Sequence, residues 1–279
     1  NSGLIDNYVI SISERKPDEI WVGTYNGACI INPNNFQEKT HFKHDAHNLN
    51  SLSNDWVYTF HLDYKGRFWL GTSEGLNLYN PDSKSFTSYG FRHGFASEVF
   101  YGVLEDDDNY LWLSTSGGLI RYNHDLKRVF NYTKNDGLPT NEFHHASCVK
   151  SRTGEFFFGS NDGLVHFKPS DIQLDSILPN TVISGVQVFF EDIDMKEYRS
   201  EKNPNTLVFN HWQSTISIRY AGVNFISNRD NVYSYKLKGY QDKWIEVGNR
   251  REVIFTNLDP GHYVFLVRSR NKDGVEGEQ

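Results

Sequence analysis

The sequence predicts an all-β protein: four blades of an incomplete β-propeller followed by an immunoglobulin-like β-sandwich. Three observations carry this. A hairpin motif recurs four times, with its second aromatic at Trp21, Trp69, Trp112 and Phe157 and its turn glycine at Gly27, Gly75, Gly118 and Gly163. Both series step by 48, 43 and 45 residues, and a period of that size with several strands per unit marks propeller blades. After about residue 172 the spacing stops, and a different set of alternating strands begins.

The second copy shows what each unit is made of. Phe68-Trp69-Leu70-Gly71-Thr72 reads as a strand, residues 73–75 as a turn, and Leu76-Asn77-Leu78-Tyr79 as its alternating partner. Pro81 ends the ladder because it has no N–H to donate. An upstream strand is predicted in each unit, at Tyr8 to Ser13, Val57 to Leu62, Phe100 to Leu104 and His145 to Val149. Thr40 to Phe42, Ser85 to Tyr89 and Arg128 to Tyr132 supply an outer strand, giving four per unit. The aromatic is expected to wedge between neighbouring blades, and the glycine to take a positive φ that a Cβ resists. Ser114 and Phe157 depart from the Trp-x-Gly-Thr pattern. Four units are fewer than most closed rings carry, at about 4 to 8 blades, so the expectation is either a rare four-bladed ring or, as the favoured reading, further blades outside this stretch. The chain does not begin with Met, which fits a piece of a longer protein.

The loops leading into the upstream strands are polar and rich in aromatics and His. In a propeller they gather around the axis on one face, and a rigid scaffold presents binding residues on such loops. By position, the candidate ligand-binding residues are Asn54, Asp55, Trp56, Ser97, Glu98, Phe100, Asn141, Glu142 and His144.

Residues 173–180 read as a linker. From 181 to 279 the strands alternate cleanly: Val182, Ser184, Val186 and Val188 on one face, then Ile216, Ile218, Tyr220, Val223 and Phe225. Tyr233, Tyr235 and Leu237 share a face, as do Tyr263, Phe265 and Val267. About seven short strands in about 100 residues predict a sandwich.

Composition narrows the function. A net charge of −7 argues against sequence-independent nucleic-acid binding and against an anionic membrane surface. Cys29 and Cys148, the two cysteines, fall in predicted strands and read as buried free thiols. His144 and His145 are adjacent, so they point to opposite faces of a strand and are poorly placed to share a metal. The acidic run Glu105 to Asn109 occupies a hairpin turn and reads as turn chemistry. No nucleophile elbow, HExxH or phosphate loop is present, and neither catalytic residues nor cofactors are expected.

The unit Val57…Asp63-x-x-Gly66-x-Phe68-Trp69-Leu70-Gly71-Thr72-x-x-Gly75-Leu76-x-x-Tyr79 resembles the two-component regulator propeller repeat. Residues 230–275 resemble the triple-tyrosine domain that follows such propellers, through Tyr233-Ser234-Tyr235-Lys236-Leu237-x-Gly239, Asp242-Lys243-Trp244, Phe255-Thr256-Asn257-Leu258-x-Pro260-Gly261-x-Tyr263 and Val267-Arg268-Ser269-x-Asn271-x-Asp273-Gly274. The resemblance implies a hybrid two-component sensor of Bacteroidetes type, anchored in the inner membrane with this region in the periplasm. It implies an oligosaccharide ligand on the propeller loops and pairing of two subunits through the sandwich. A protein-binding propeller with a dimerising sandwich, or a glycan-active propeller enzyme, are the alternatives.

Overall fold

A computed structural model describes residues 3–172, 180–223 and 231–271. The predicted linker, Phe225 and Asp273-Gly274 lie, wholly or in large part, outside the described residues. The chain divides into two compact units, residues 1–172 and 173–279.

The first unit holds four antiparallel sheets. β1 (Val9–Lys16), β2 (Glu19–Thr24), β3 (Gly27–Asn32) and β4 (Asn35–Phe42) form the first, in sequence order. β5 (Val57–Leu62), β6 (Phe68–Thr72), β7 (Gly75–Asn80) and β8 (Ser85–Tyr89) form the second. β9 (Phe100–Glu105), β10 (Leu111–Thr115), β11 (Gly118–Asn123) and β12 (Arg128–Tyr132) form the third. The fourth has three strands among the described residues: β13 (Phe143–Lys150), β14 (Phe156–Ser160) and β15 (Gly163–Phe167). The expectation of four strands per blade thus holds in the first three. β1 packs on β5, β5 on β9 and β9 on β13, so the first strand of each sheet lies innermost. No contact of that extent joins β13 to β1 among the described residues, so the blades form an open arc.

The wedge positions behave as the repeat predicts in three blades. Trp21 is fully buried and packs on Phe42 of its own blade and on Phe68 and Tyr79 of the next, at 5.1, 5.1 and 4.7 Å between ring centroids. Trp69 sits likewise between Tyr89 and Tyr122, and Trp112 between Tyr132 and Phe167. Each indole N–H donates to a buried carboxylate: Trp21 to Glu19 at 2.7 Å, Trp69 to Asp63 at 3.0 Å and Trp112 to Asp106 at 2.8 Å. A buried N–H without an acceptor would be costly, so the aromatic and the acid come as a pair. In the second and third blades the acid opens a β-hairpin turn, which is also where the run Glu105 to Asn109 lies. In the first blade the charges exchange places: Arg15 and Glu19 stand where Asp63 and Arg67 stand 48 residues later, and both pairs form ion pairs at 2.9 and 2.6 Å. The fourth blade drops both partners, with Phe157 for the indole and Ser151 for the acid. Phe157 is half-buried and stacks on His166 of its own blade at 5.6 Å.

The recurring threonine of the motif closes the turn. Thr24, Thr72 and Thr115 donate through Oγ1 to the carbonyls of Gly27, Gly75 and Gly118 at 2.8 to 2.9 Å, and Ser160 does the same for Gly163. Those glycines have φ between +114° and +145°. At Gly118 an added Cβ would also stand 2.1 Å from the Tyr132 carbonyl oxygen, so both backbone and space exclude a side chain. The serine departure has a local cause. Ser11 and Thr59 face Gly23 and Gly71, whereas Gly102 faces Ser114. The small residue has moved across the pair, and the volume is kept.

Among the described residues the second unit contains two sheets, of four and three strands. One has the order β17 (Glu191–Asp192), β16 (Asn180–Val188), β18 (Ile216–Val223), β21 (Glu252–Phe255); the other has β20 (Gln241–Gly248), β19 (Val232–Lys238), β22 (Val264–Arg270). Tyr220, Tyr233, Leu237, Phe255 and Val267 form its core. The Tyr233 hydroxyl accepts from the Gly222 N–H at 2.9 Å across the core. Val186 and Val188 face inward, but Val182 is exposed. A register shift between Ile183 and Gly185 inverts the side-chain phase, so the four-residue face predicted from alternation breaks in the middle.

Candidate functional site

The start of each inner strand pairs with the end of the second: Val9 with Thr24, Val57 with Thr72, Phe100 with Thr115, Phe143 with Ser160. The loops entering β5, β9 and β13 therefore lie at the same end of the blades as the β2–β3 type of turn. Just inside this end the inner strands bulge. One extra residue is inserted in each of the first three: Ile10, Tyr58 and Tyr101. In β13 the insertion is larger, since residues 144–147 all lie opposite Gly159. Ala146 there has φ +54°, a left-handed conformation that costs a residue with a Cβ.

The bulges bring aromatic side chains together across three blades. Tyr58 is buried and contacts Tyr101 edge-on at 5.2 Å, and its ring stacks on His145 at 5.8 Å. Trp56, half exposed, meets Tyr25 edge-on at 5.4 Å, and Tyr8 lies against Tyr25 at 5.7 Å. Burial, then the nearby Tyr101 and Tyr25 hydroxyls, push the Tyr58 pKa up to about 12. Burial and then the Glu142 carboxylate raise that of Tyr101. Tyr58 forms the floor of this cluster, and Trp56, Tyr8 and His145 its exposed rim.

The residues chosen by position divide into three groups. Trp56, Glu142 and His144 are exposed at this face. Glu142 accepts from the Asn161 amide at 2.7 Å through Oε2. Asp55, Glu98 and Asn141 instead tie each loop back to its own outer end: they accept from the backbone N–H of His44 at 2.7 Å, Phe91 at 3.3 Å and Lys134 at 2.7 Å. The carbonyls of Asp55 and Glu98 also accept from the turn N–H of Gly27 and Gly75 in the preceding blade, both at 2.7 Å. Asn54 caps the Trp56 N–H at 2.9 Å. These are loop staples. Phe100 is fully buried against Phe95 at 5.6 Å, and Ser97 is buried with its hydroxyl on Ser116 at 3.1 Å; neither side chain is open to a ligand.

Sequence reasoning missed Tyr25, Tyr58, Tyr101 and His145. The one available signal was the tyrosine at the same repeat place in two units, 58 and 101. Among the described residues no three His, Cys, Asp or Glu side chains are placed to share a metal ion. Cys29 and Cys148 are free thiols whose pKa values burial raises. A separate cleft of about 260 Å³ lies between the first two blades at their opposite end, lined by Arg15, Arg67, Phe68 and Tyr79. Both arginines are engaged by carboxylates, so the cleft belongs to blade packing.

Comparison with known proteins gives matching results. Residues 3–26 and 51–74 match the two component regulator propeller family, and residues 224–279 match the Y_Y_Y domain. A histidine kinase P4 from Formosa agariphila is 27% identical over 99% of this chain, which spans 24% of that protein. The extracellular domain of a putative hybrid two component system from B. thetaiotaomicron superimposes with a TM-score of 0.80 at 24% identity, over 100% of this chain and 38% of the other. This likeness shows the fold.

Proposed function

We propose that a chain joining two component regulator propeller repeats to a Y_Y_Y domain is part of the extracytoplasmic region of a hybrid two-component sensor, and that it works by binding rather than by catalysis. The location proposed is the periplasm of an inner-membrane protein. The ligand is an oligosaccharide held at the loop face of the blades. The observation that carries this reading is the gathering of aromatic rings at one end of the inner strands: Tyr58, Tyr101 and His145 meet across three blades, and at the same end the exposed Trp56 meets Tyr25. Flat apolar ring faces beside a carboxylate suit a sugar, whose C–H faces stack while its hydroxyls donate. The sandwich pairs two subunits, and the ligand shifts that pairing by its differential affinity for two arrangements.

Thermal-shift screening of the chain against a broad oligosaccharide panel tests this. Mass action predicts a rise in melting temperature that grows with ligand concentration for at least one member. A flat response across the panel contradicts saccharide sensing at this face.

The outward faces of the end blades bear on the second reading, a protein-binding propeller. Ile12 on the first blade and Leu164 on the fourth are 67% and 62% exposed. The places equivalent to Ile12 are filled by Phe60 and Val103, which receive the wedge of a preceding blade. Further blades of the same type are therefore the proposed cover for these faces.

A further inference from the structure

The segment entering each inner strand ends in the same cap. A side chain accepts the backbone N–H two residues on: Asp6 from Tyr8 at 2.8 Å, Asn54 from Trp56 at 2.9 Å, Ser97 from Val99 and Thr140 from Glu142 at 3.1 Å. The residue held in this way directly precedes Val9, Val57, Phe100 or Phe143, the first of each inner strand. The cap recurs, but the side chain it presents changes. Tyr8 and Trp56 are aromatic and 71% and 49% exposed, Val99 is half-buried and Glu142 is exposed. The turn place after the second strand changes in step, with Tyr25 in the first blade and Ser73, Ser116 and Asn161 in the others. One backbone device therefore presents four different groups on the loop face, which is how a rigid scaffold varies what it binds.

Tyr58 is buried, with His145 stacked on its ring, so the rings most open to a ligand are those of Tyr8 and Trp56. Tyr25 lies between them, with centroids 5.7 Å from Tyr8 and 5.4 Å from Trp56. Its turn is held by the Asn26 N–H on Thr24 Oγ1 at 3.0 Å and by Lys43, which donates to Asn26 Oδ1 at 2.8 Å. Neighbouring ring planes in this strip are inclined, by 49° between Tyr8 and Tyr25 and by 73° between Tyr25 and Trp56.

We propose that the strip Tyr8–Tyr25–Trp56 selects a glycan whose chain bends at each linkage over one that lies as a flat ribbon. The inference rests on the saccharide reading and adds the shape of the chain. A sugar stacks with its ring plane along the aromatic face. A β-1,4-linked glucose or mannose chain keeps its ring planes nearly parallel, so it lies along one of two neighbouring faces and meets the other edge-on. A β-1,3- or α-1,4-linked glucose chain turns from one sugar to the next and brings consecutive sugars onto inclined faces. The caps fix the strip before the ligand arrives, so a chain already bent binds without the cost of reshaping either partner.

The test is calorimetric titration of the 279-residue chain with hexasaccharides that share a sugar and differ in linkage. The flat set is cellohexaose and β-1,4-mannohexaose; the bent set is laminarihexaose, maltohexaose and α-1,3-mannohexaose. All are uncharged, and within one sugar the composition is identical, so a difference reports chain shape. The expected result is that a bent hexamer binds more tightly than the flat one of the same sugar by about tenfold, the worth of one further stacked ring. Tyr8→Ala is expected to weaken the bent hexamer by about fivefold or more and the flat one, which keeps the larger Trp56 face, by less than about twofold. Circular dichroism should show an unchanged fold, since Tyr8 lies outside the core. A flat hexamer that binds as tightly as the bent one, or a gap unmoved by Tyr8→Ala, overturns the inference and leaves the saccharide reading standing. Binding by neither set overturns both.

Discussion

The pairing of a buried indole with a buried carboxylate can be tested by importing the fourth blade's solution into the second. Asp63 uses its two oxygens differently. Oδ1 accepts the backbone N–H groups of Lys65 and Arg67 at 3.0 and 2.8 Å, while Oδ2 accepts the Trp69 indole at 3.0 Å and Arg67 Nε at 2.6 Å. Ser151 occupies the equivalent place in the fourth blade and keeps a turn bond, accepting the Glu155 N–H at 3.0 Å. Asp63→Ser therefore preserves the turn and removes what Oδ2 does. The loss combines a buried N–H left without an acceptor, about 1–3 kcal/mol, with a charge-assisted bond from Arg67, about 1.5–3 kcal/mol. Arg67 retains Asp125, which accepts from its Nη1 at 2.9 Å, so the expected cost is about 3 kcal/mol. In Trp69→Phe the indole N–H is gone, and Asp63→Ser on that background no longer strands it. The double variant should be more stable than the sum of the single effects by about 1–2 kcal/mol. Urea unfolding followed by tryptophan fluorescence reads mainly the blades, since Trp21, Trp56, Trp69 and Trp112, four of the six tryptophans, lie there. Additivity within about 0.5 kcal/mol would refute the pairing argument.

Three further outcomes follow from particular residues. Gly118→Ala should destabilise the third blade by more than about 1 kcal/mol, because φ is +120° and the Cβ meets the Tyr132 carbonyl; an unchanged denaturation midpoint would contradict the turn geometry. Ala146→Gly should stabilise by up to about 1 kcal/mol by relieving the left-handed residue in the β13 bulge, and a loss of stability in the same measurement would count against the strain. Tyr122, which burial raises furthest, should ionise last in an ultraviolet titration; Tyr58 and Tyr220, both pushed up to about 12 mainly by burial, should ionise just before it, and Tyr58→Phe should remove one late step. Their raised values favour the protonated fold, so this contribution to stability is complete below about pH 10 and is lost as pH rises towards 12. A Tyr58 step near 10 would contradict its burial.

Most of the blade was legible in the sequence, because its parts are set locally. Trp, Thr and Gly recur at fixed offsets, since each turn needs a hydroxyl cap and a positive φ. The two departures from the motif had counterparts in the chain as well: Gly102 opposite Ser114, and Ser151 at the place of the acid in the blade where Phe157 replaces the indole. Both become readable once strand pairing is known. The candidate site was less legible. Choosing loop residues by position picks Trp56 and Glu142, which are exposed at this face, together with Asp55, Glu98 and Asn141, whose side chains hold the loops in shape. The sequence predicts Phe100 both to open the third upstream strand and to touch ligand; it does open β9, and its side chain is core. Tyr58 and Tyr101 were missed since a bulge is a property of two strands in register. A bulge likewise defeated the alternation at Val182 in the sandwich.

The central claim is that the loop-face aromatics bind a sugar. The most direct measurement is the dissociation constant of the best panel oligosaccharide for the native chain and for Trp56→Ala. Trp56 is half exposed and makes one ring contact, with Tyr25, so its loss should leave the fold intact. Removing a stacking face of this size predicts weaker binding by about tenfold, or about 1.4 kcal/mol. An unchanged dissociation constant would contradict the account and place the ligand elsewhere.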